Sequence, residues 1–191
     1  MNGEEALGKL LEGNKRFVSG SIENKDFSAK REELKTGQHP YAVVVSCSDS
    51  RVVPEFIFDV GLGEIFTSVE AGNVADKVGL GSIEYGVEHL HAPLLVVMGH
   101  EKCGAVTVAY DGGEVGGNIA TIIKKIAPAA KRAKKGGEKA TEVEKAIVFN
   151  VKKSIKNILA KSPILKKAAE EGHLKVVGMK YFFDGHVEVV C

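Results

Sequence analysis

The chain has 191 residues, 44% of them hydrophobic and 27% charged, with a formal net charge of +1. That length suits one domain with a full core, and the near-neutral charge gives no reason to expect nucleic acid or an anionic membrane as a partner. No apolar stretch approaches the about 20 residues of a membrane span, and the acidic start Met1-Asn2-Gly3-Glu4-Glu5 lacks the basic-then-apolar order of a secretory signal.

Residues 3–19 carry Leu7, Leu10, Leu11, Phe17 and Val18 at helical spacing, which predicts an amphipathic helix weakened by Gly8 and Gly13. Such a helix either docks on its own core or packs as an arm on a second subunit. Residues 20–40 are polar and read as a loop with a short helix over 28–36, closed by the turn Gly37-Gln38-His39-Pro40. A strand at 41–46 leads into Cys47-Ser48-Asp49-Ser50-Arg51, and Pro54 opens a short helix that Gly61 and Gly63 end. A second strand, 64–70, closes at Ala71-Gly72-Asn73, and a helix at 75–91 follows with Val78, Leu80, Ile83, Val87 and Leu90 on or near one face. The third strand, 94–98, ends in Gly99-His100-Glu101-Lys102-Cys103-Gly104, and the next helix runs on to Tyr110.

Beyond the glycine-rich stretch 111–117 come helices at 118–135, with a bend at Pro128, and at 140–160, where Thr141 and Glu144 have the spacing of a capping box. Lys131, Arg132, Lys134 and Lys135 close the first of these as a solvated helix end suited to the dipole. Ser162-Pro163 starts a short helix that ends at Gly172, and strands at 174–183 and 186–190 form a hairpin about Asp184-Gly185.

The early strands are mostly apolar and separated by helices, the pattern of a parallel sheet covered on both faces. The expected architecture is α/β: four parallel strands plus a C-terminal antiparallel edge strand, covered by helices. It forms one domain, with an N-terminal helical arm (1–36) and an α/β core (37–191). Ligands bind such sheets at the carboxyl ends of the strands, and Cys47 and His100 both stand at carboxyl ends.

Three cysteines cannot all pair, so a reducing, cytoplasmic compartment with thiols kept for chemistry is expected. Cys47, Asp49 and Arg51 put a soft ligand or nucleophile, an acid and a fixed cation within five residues, which packing alone does not call for. Thiolate and imidazole suit zinc, and His100-x-x-Cys103 lets both side chains reach one ion if the loop curls into a helix start. Three protein ligands leave the fourth position open, as in catalytic sites. No Cys-x-x-Cys pair exists, which excludes a four-cysteine structural zinc. The competing reading is two buried cysteines and a core histidine that meet through packing alone. Zinc with two thiolates and a neutral imidazole has no net charge and acidifies a bound water less than zinc on three histidines. The nucleophile therefore needs a neighbour: Asp49 can accept its hydrogen bond while Arg51 clamps Asp49 and keeps it ionised. Asp49 could also swing onto the metal and close the site.

Cys47-x-Asp49-x-Arg51 with His100-x-x-Cys103-Gly104 resembles the β-class carbonic anhydrases, and the resemblance extends through Gly37-Gln38-x-Pro40, Ala71-Gly72-Asn73, Ile83-Glu84-Tyr85 and the closing hairpin. It implies one zinc per chain, held by Cys47, His100 and Cys103, with Asp49 as a fourth ligand only in a closed form. It also implies reversible hydration of carbon dioxide to bicarbonate and a proton by zinc-bound hydroxide, with Asp49 and Arg51 as a catalytic dyad. Gln38 falls where the family has a substrate-orienting glutamine. Phe66, Ala71 and Tyr85 fall where it lines an apolar carbon dioxide pocket, partly from the other subunit, and Gly104 where backbone lies close to substrate. The resemblance further implies a homodimer or a multiple of dimers, with the N-terminal helix as an arm. Val69 and Glu70 depart from the arginine and polar residue common before Ala-Gly-Asn, which argues against a second, inhibitory bicarbonate site.

The same ligands would serve hydrolysis of carbon disulfide or carbonyl sulfide, although Gln38 with Asp49 and Arg51 favours carbon dioxide. A metal-free cysteine phosphate loop is ruled out because position 53 is Val53, and no G-x-G-x-x-G or P-loop pattern supports a nucleotide-binding domain. His89 and His91 read as surface or capping residues, His173 and His186 as turn residues, and Cys191 as a spectator.

Overall fold

The computed structural model describes all 191 residues. One sheet organises it: β1 (Ala42–Ser46), β2 (Ile65–Val69), β3 (Leu94–His100), β4 (Lys175–Tyr181) and β5 (Val187–Val189), in the order β2-β1-β3-β4-β5. The first four are parallel, and β5 pairs antiparallel with β4. Every residue of β1 and β3 is buried, which is why these strands read as apolar runs without alternation. Their side chains still divide by parity. Ala42, Val44, Leu94, Val96 and Met98 enter one core cluster, and Val43, Val45, Leu95 and Val97 another.

Eight α-helices accompany the sheet: α1 (Gly3–Ser19), α2 (Phe27–Glu33), α3 (Pro54–Ile57), α4 (Lys77–Glu84), α5 (Gly104–Asp111), α6 (Ile119–Ala133), α7 (Lys139–Lys161) and α8 (Pro163–Glu170). The helix expected over 75–91 is α4 followed by a π-helical turn, Tyr85–His89, in which the Leu90 amide donates to the Tyr85 carbonyl. Ile83, Val87, Val151, Ile158 and Leu165 cover one face of the sheet, and α1 and α3 contribute to the other. Gly99 lets α7 close on β3, since a Cβ there would stand 2.8 Å from Val151 Cγ2.

Helix α1 has a complete N-terminal cap: Asn2 accepts from the Glu4 and Glu5 amides, and Glu5 accepts from the Asn2 amide. Part of its apolar stripe docks on its own core. Ala6 and Leu10 are fully buried in the cluster that holds Ala42, Val44 and Val96. It is the stretch after Ser19 that stands clear: α2 and the 3-10 turn Leu34–Thr36 behind it bury no residue.

Asn14 on α1 ties three distant backbone groups together. Its Nδ2 donates to the Ile57 carbonyl (3.0 Å) and the Gly185 carbonyl (2.8 Å), and its Oδ1 accepts from the Val187 amide (3.1 Å). Asn14→Ala leaves these groups unpaired in a buried site, at roughly 1–3 kcal/mol for such a loss. The melting temperature should fall by about 3–10 °C for a chain of this size, read by calorimetry.

The capping box at Thr141 and Glu144 does not form. Helix α7 begins earlier, at Lys139 with Glu138 as its N-cap, and Thr141 Oγ1 donates to Glu138 Oε2. Glu144 is taken by a tertiary contact instead: it accepts from the Lys102 amide at 2.9 Å and pairs with Lys180 at 2.6 Å. The basic cluster at the end of α6 stays exposed as expected.

Candidate metal centre

β1 and β3 are parallel neighbours, with Val45 opposite Val97. Parallel pairing puts their carboxyl ends on the same side of the sheet, and this brings residues from the two strand ends together across a long sequence gap. Cys47 is the residue after β1, His100 is the last of β3, and Cys103 is the N-cap residue of α5. All three are buried, and the Cys47, His100 and Cys103 ligand atoms lie within 4.8 Å of one another. Tetrahedral zinc at ordinary bond lengths needs such atoms about 3.5–3.8 Å apart, so modest adjustment seats an ion.

The imidazole is prepared for that role. His100 Nδ1 is hydrogen-bonded to the Glu101 carbonyl at 2.9 Å, while the buried Nε2 has no hydrogen-bond partner. A ligand histidine needs this arrangement, with one nitrogen anchored and the other bare. An orphaned buried nitrogen is costly unless something binds it. The thiols are close enough to share a proton. Cys47 is pulled down to about 4, first by the Cys103 thiol beside it and then by the neighbouring His100 ring and backbone N–H groups, against its burial. Cys103 is pushed up by its hydrogen bond to Cys47 and by burial. A pair that resists losing its second proton is one that a divalent cation completes. The residues present therefore fit zinc.

Gly72 also contributes. Within the 3-10 turn Ala71–Asn73 it sits at φ 71°, and its amide donates to Cys47 Sγ at 3.2 Å. The Asn150 Nδ2 on α7 holds the Gly72 carbonyl at 2.8 Å. Sequence reasoning singled out Ala71-Gly72-Asn73 without seeing this donor, and nothing in the sequence pointed to Asn150. Gly72→Ala would set a Cβ 2.5 Å from Ile126 Cδ1 in a backbone conformation that disfavours side chains. Zinc affinity should drop by about 10-fold, as for other losses of a ligand's supporting contacts, measured by chelator competition.

Asp49 and Arg51 lie beside the three ligands. Arg51 Nε donates to Asp49 Oδ1 at 2.9 Å and Nη2 to Oδ2 at 2.8 Å, and the Arg51 amide donates to Oδ1 at 3.1 Å. This fork is the chief reason the Asp49 carboxyl is held well below the usual carboxylate range. Asp49 Oδ2 stands 3.9 Å from His100 Nε2, so the carboxylate borders the place where an ion would sit.

The carbonic anhydrase family matches residues 42–187. Carbonic anhydrase 2 of Mycobacterium tuberculosis is 39% identical over 180 residues, covering 92% of this chain and 86% of that one. The β-carbonic anhydrase of Coccomyxa, solved in complex with acetazolamide, superposes with a TM-score of 0.77 at 27% identity, covering 96% of this chain and 85% of that one. The chain belongs to the β-class carbonic anhydrases. A further neighbour, from two tetrameric β-carbonic anhydrases of Sordaria macrospora, has a TM-score of 0.76 at 26% identity, over 83% of this chain and 84% of that one.

Not every residue expected in the site of this carbonic anhydrase reaches it within one chain. Ala71 and Gly104 adjoin it in the chain, one beside Gly72 and the other next to Cys103. Gln38 is exposed and precedes β1, so the whole strand, roughly 17 Å for five residues, separates it from Cys47. Phe66 pairs in register with Val43, three rungs short of Ser46, and packs on Tyr85 with ring centroids 6.0 Å apart. Tyr85 is 46% exposed. Gln38 thus lies before the amino end of β1, while Phe66 and Tyr85 pack together at the edge strand β2.

Proposed function

We propose that this chain catalyses reversible hydration of carbon dioxide at a zinc site made by Cys47, His100 and Cys103, with Asp49 and Arg51 as its catalytic pair. The observation that carries the reading is the bare His100 Nε2 flanked by two buried cysteines and a carboxylate already clamped by arginine. Zinc bound there supplies Lewis acidity that brings a water's pKa from about 16 toward roughly 7. Asp49, kept ionised by Arg51, can only accept a hydrogen bond. It therefore takes the proton-bearing side of the attacking oxygen and turns a lone pair toward the carbon. Both carboxylate oxygens of Asp49 are engaged by Arg51. Asp49 would be a fourth ligand only in a closed form of the site.

Ala71 and Gly104 of the same chain, with Gln38, Phe66 and Tyr85 of a second copy, would line the carbon dioxide pocket. The exposure of Gln38 and Tyr85 supports that division, and so does the tetrameric state of the Sordaria relatives. The assembly is accordingly a homodimer or a multiple of one. The whole chain, 1–191, is read as one domain, because α1 is buried against the sheet. No helix is long and apolar enough to cross a membrane. Its three free cysteines, two of them in the zinc site, suit the cytoplasm.

Zinc analysis of the purified protein together with stopped-flow hydration tests this reading. One zinc per chain and rapid hydration support it. A metal-free active protein, or turnover of carbonyl sulfide or carbon disulfide with none of carbon dioxide, refutes it.

A further inference from the structure

We propose that Phe183, in the C-terminal hairpin, is the positioning residue that holds the Asp49–Arg51 pair beside the metal centre. The proposal rests on the reading of that pair as catalytic. The Arg51 side chain is 56% exposed, and an exposed ion pair alone holds its geometry weakly, because water and salt screen it and long side chains resist ordering. A second surface is needed, and Phe183 provides it. The Arg51 guanidinium carbon lies 4.1 Å from the centre of the Phe183 ring, within the range at which a cation is drawn to an aromatic face. The guanidinium is thus held between a carboxylate fork and a ring.

The same ring touches the metal-ligand side. Its centroid is 5.7 Å from that of His100, at an interplanar angle of 44°, and 6.0 Å from that of Tyr181 in an edge arrangement. Phe183 therefore occupies the corner between Arg51 and His100. Its own position is fixed from both directions. The Phe183 amide donates to Glu101 Oε1 at 2.6 Å, and the Glu101 amide donates to the Tyr181 carbonyl at 2.9 Å. Glu101 is also the residue whose carbonyl anchors His100 Nδ1. On the far side of the turn, Asn14 holds Gly185 and Val187. The loop carrying His100 and the hairpin carrying Phe183 are in this way one tied unit, and Arg51 rests against it.

The test compares Phe183→Leu, which keeps apolar bulk and removes the aromatic face, with Phe183→Tyr, which keeps the face. Leucine should lower kcat/KM for hydration by about 2–5-fold, with zinc content and melting temperature nearly unchanged, and tyrosine should restore it. Solvent exchange of the Arg51 Nε proton, followed by NMR, should quicken in the leucine variant and return to the wild-type rate with tyrosine. An exchange rate that is the same in all three proteins overturns the proposal, as does equal loss in the leucine and tyrosine variants. Asp49→Asn is run alongside. If it leaves hydration untouched, the catalytic reading of the pair fails, while proton exchange still decides whether Phe183 holds it.

Discussion

Replacing Cys47 by serine is expected to leave a folded protein that holds almost no zinc and hydrates carbon dioxide at the background rate. The hydroxyl of serine stays protonated where a thiolate forms readily, and it is a hard, weak donor to zinc. Cys47 is also the thiol that the surroundings prepare for ionisation, through Cys103, His100 and the Gly72 amide. One of three ligands lost from a site whose metal affinity is of the order of 10 kcal/mol should weaken binding by about 100-fold or more. Activity should drop by at least about 10³-fold, since the acidity of the attacking water depends on the ion. The fold should survive, because serine is smaller by little and the Gly72 amide can donate to its oxygen. Metal content, far-ultraviolet circular dichroism and stopped-flow hydration give the three readouts. Full zinc occupancy and activity in Cys47→Ser would place the metal elsewhere. Stripping the wild-type enzyme with a chelator should give the same loss, reversed by zinc, whereas zinc should not rescue the serine variant.

Arg51→Ala should cost about 10²–10³-fold in kcat with little change in zinc content, the range seen when a group that positions a proton-transfer partner is removed. Arg51 holds Asp49 below the carboxylate range mainly through its forked hydrogen bonds. Without the fork, Asp49 should return toward a pKa of about 4, which is still fully ionised at neutral pH. The defect is therefore one of orientation, so the pH–rate curve from pH 6 to 9 should drop by a constant factor and keep its shape. Arg51→Lys should recover little, because an ammonium cannot engage both carboxylate oxygens in one plane. The stability effect has a definite sign. A folded-state pKa below the unfolded value stabilises the protein above about pH 4 and loses that stabilisation as acid protonates the folded carboxylate. Wild type and Arg51→Ala should therefore differ slightly in melting temperature at neutral pH and converge in strong acid. The difference is small because Arg51 is largely solvated. A curve whose midpoint moves by more than a unit would mean that Arg51 tunes the nucleophile itself.

The sequence alone determined the candidate ligand set and the kind of sheet that carries it. Cys47, His100 and Cys103 are recognisable because metal chemistry depends on residue type. Their place at strand ends follows from short, valine-rich apolar runs that read as strands buried on both faces, as β1 and β3 are. The Asp49–Arg51 fork was legible for a similar reason, since two residues of separation suffice for contact and no distant element has to cooperate.

Only the tertiary structure decided which way each amphipathic element turned and which distant groups it met. Helix α1 has an apolar stripe, and which of its residues the sheet covers, Ala6 and Leu10, only the packing shows. Glu144 had the spacing of a capping residue, but Lys102 and Lys180 lie close enough to claim its carboxylate. The Gly72 donor, the Asn150 brace and the Phe183 ring are set by contacts across 25, 78 and 132 positions of chain (72−47, 150−72 and 183−51). Residue type signals what a side chain can do. Packing, which couples all elements at once, fixes what it touches.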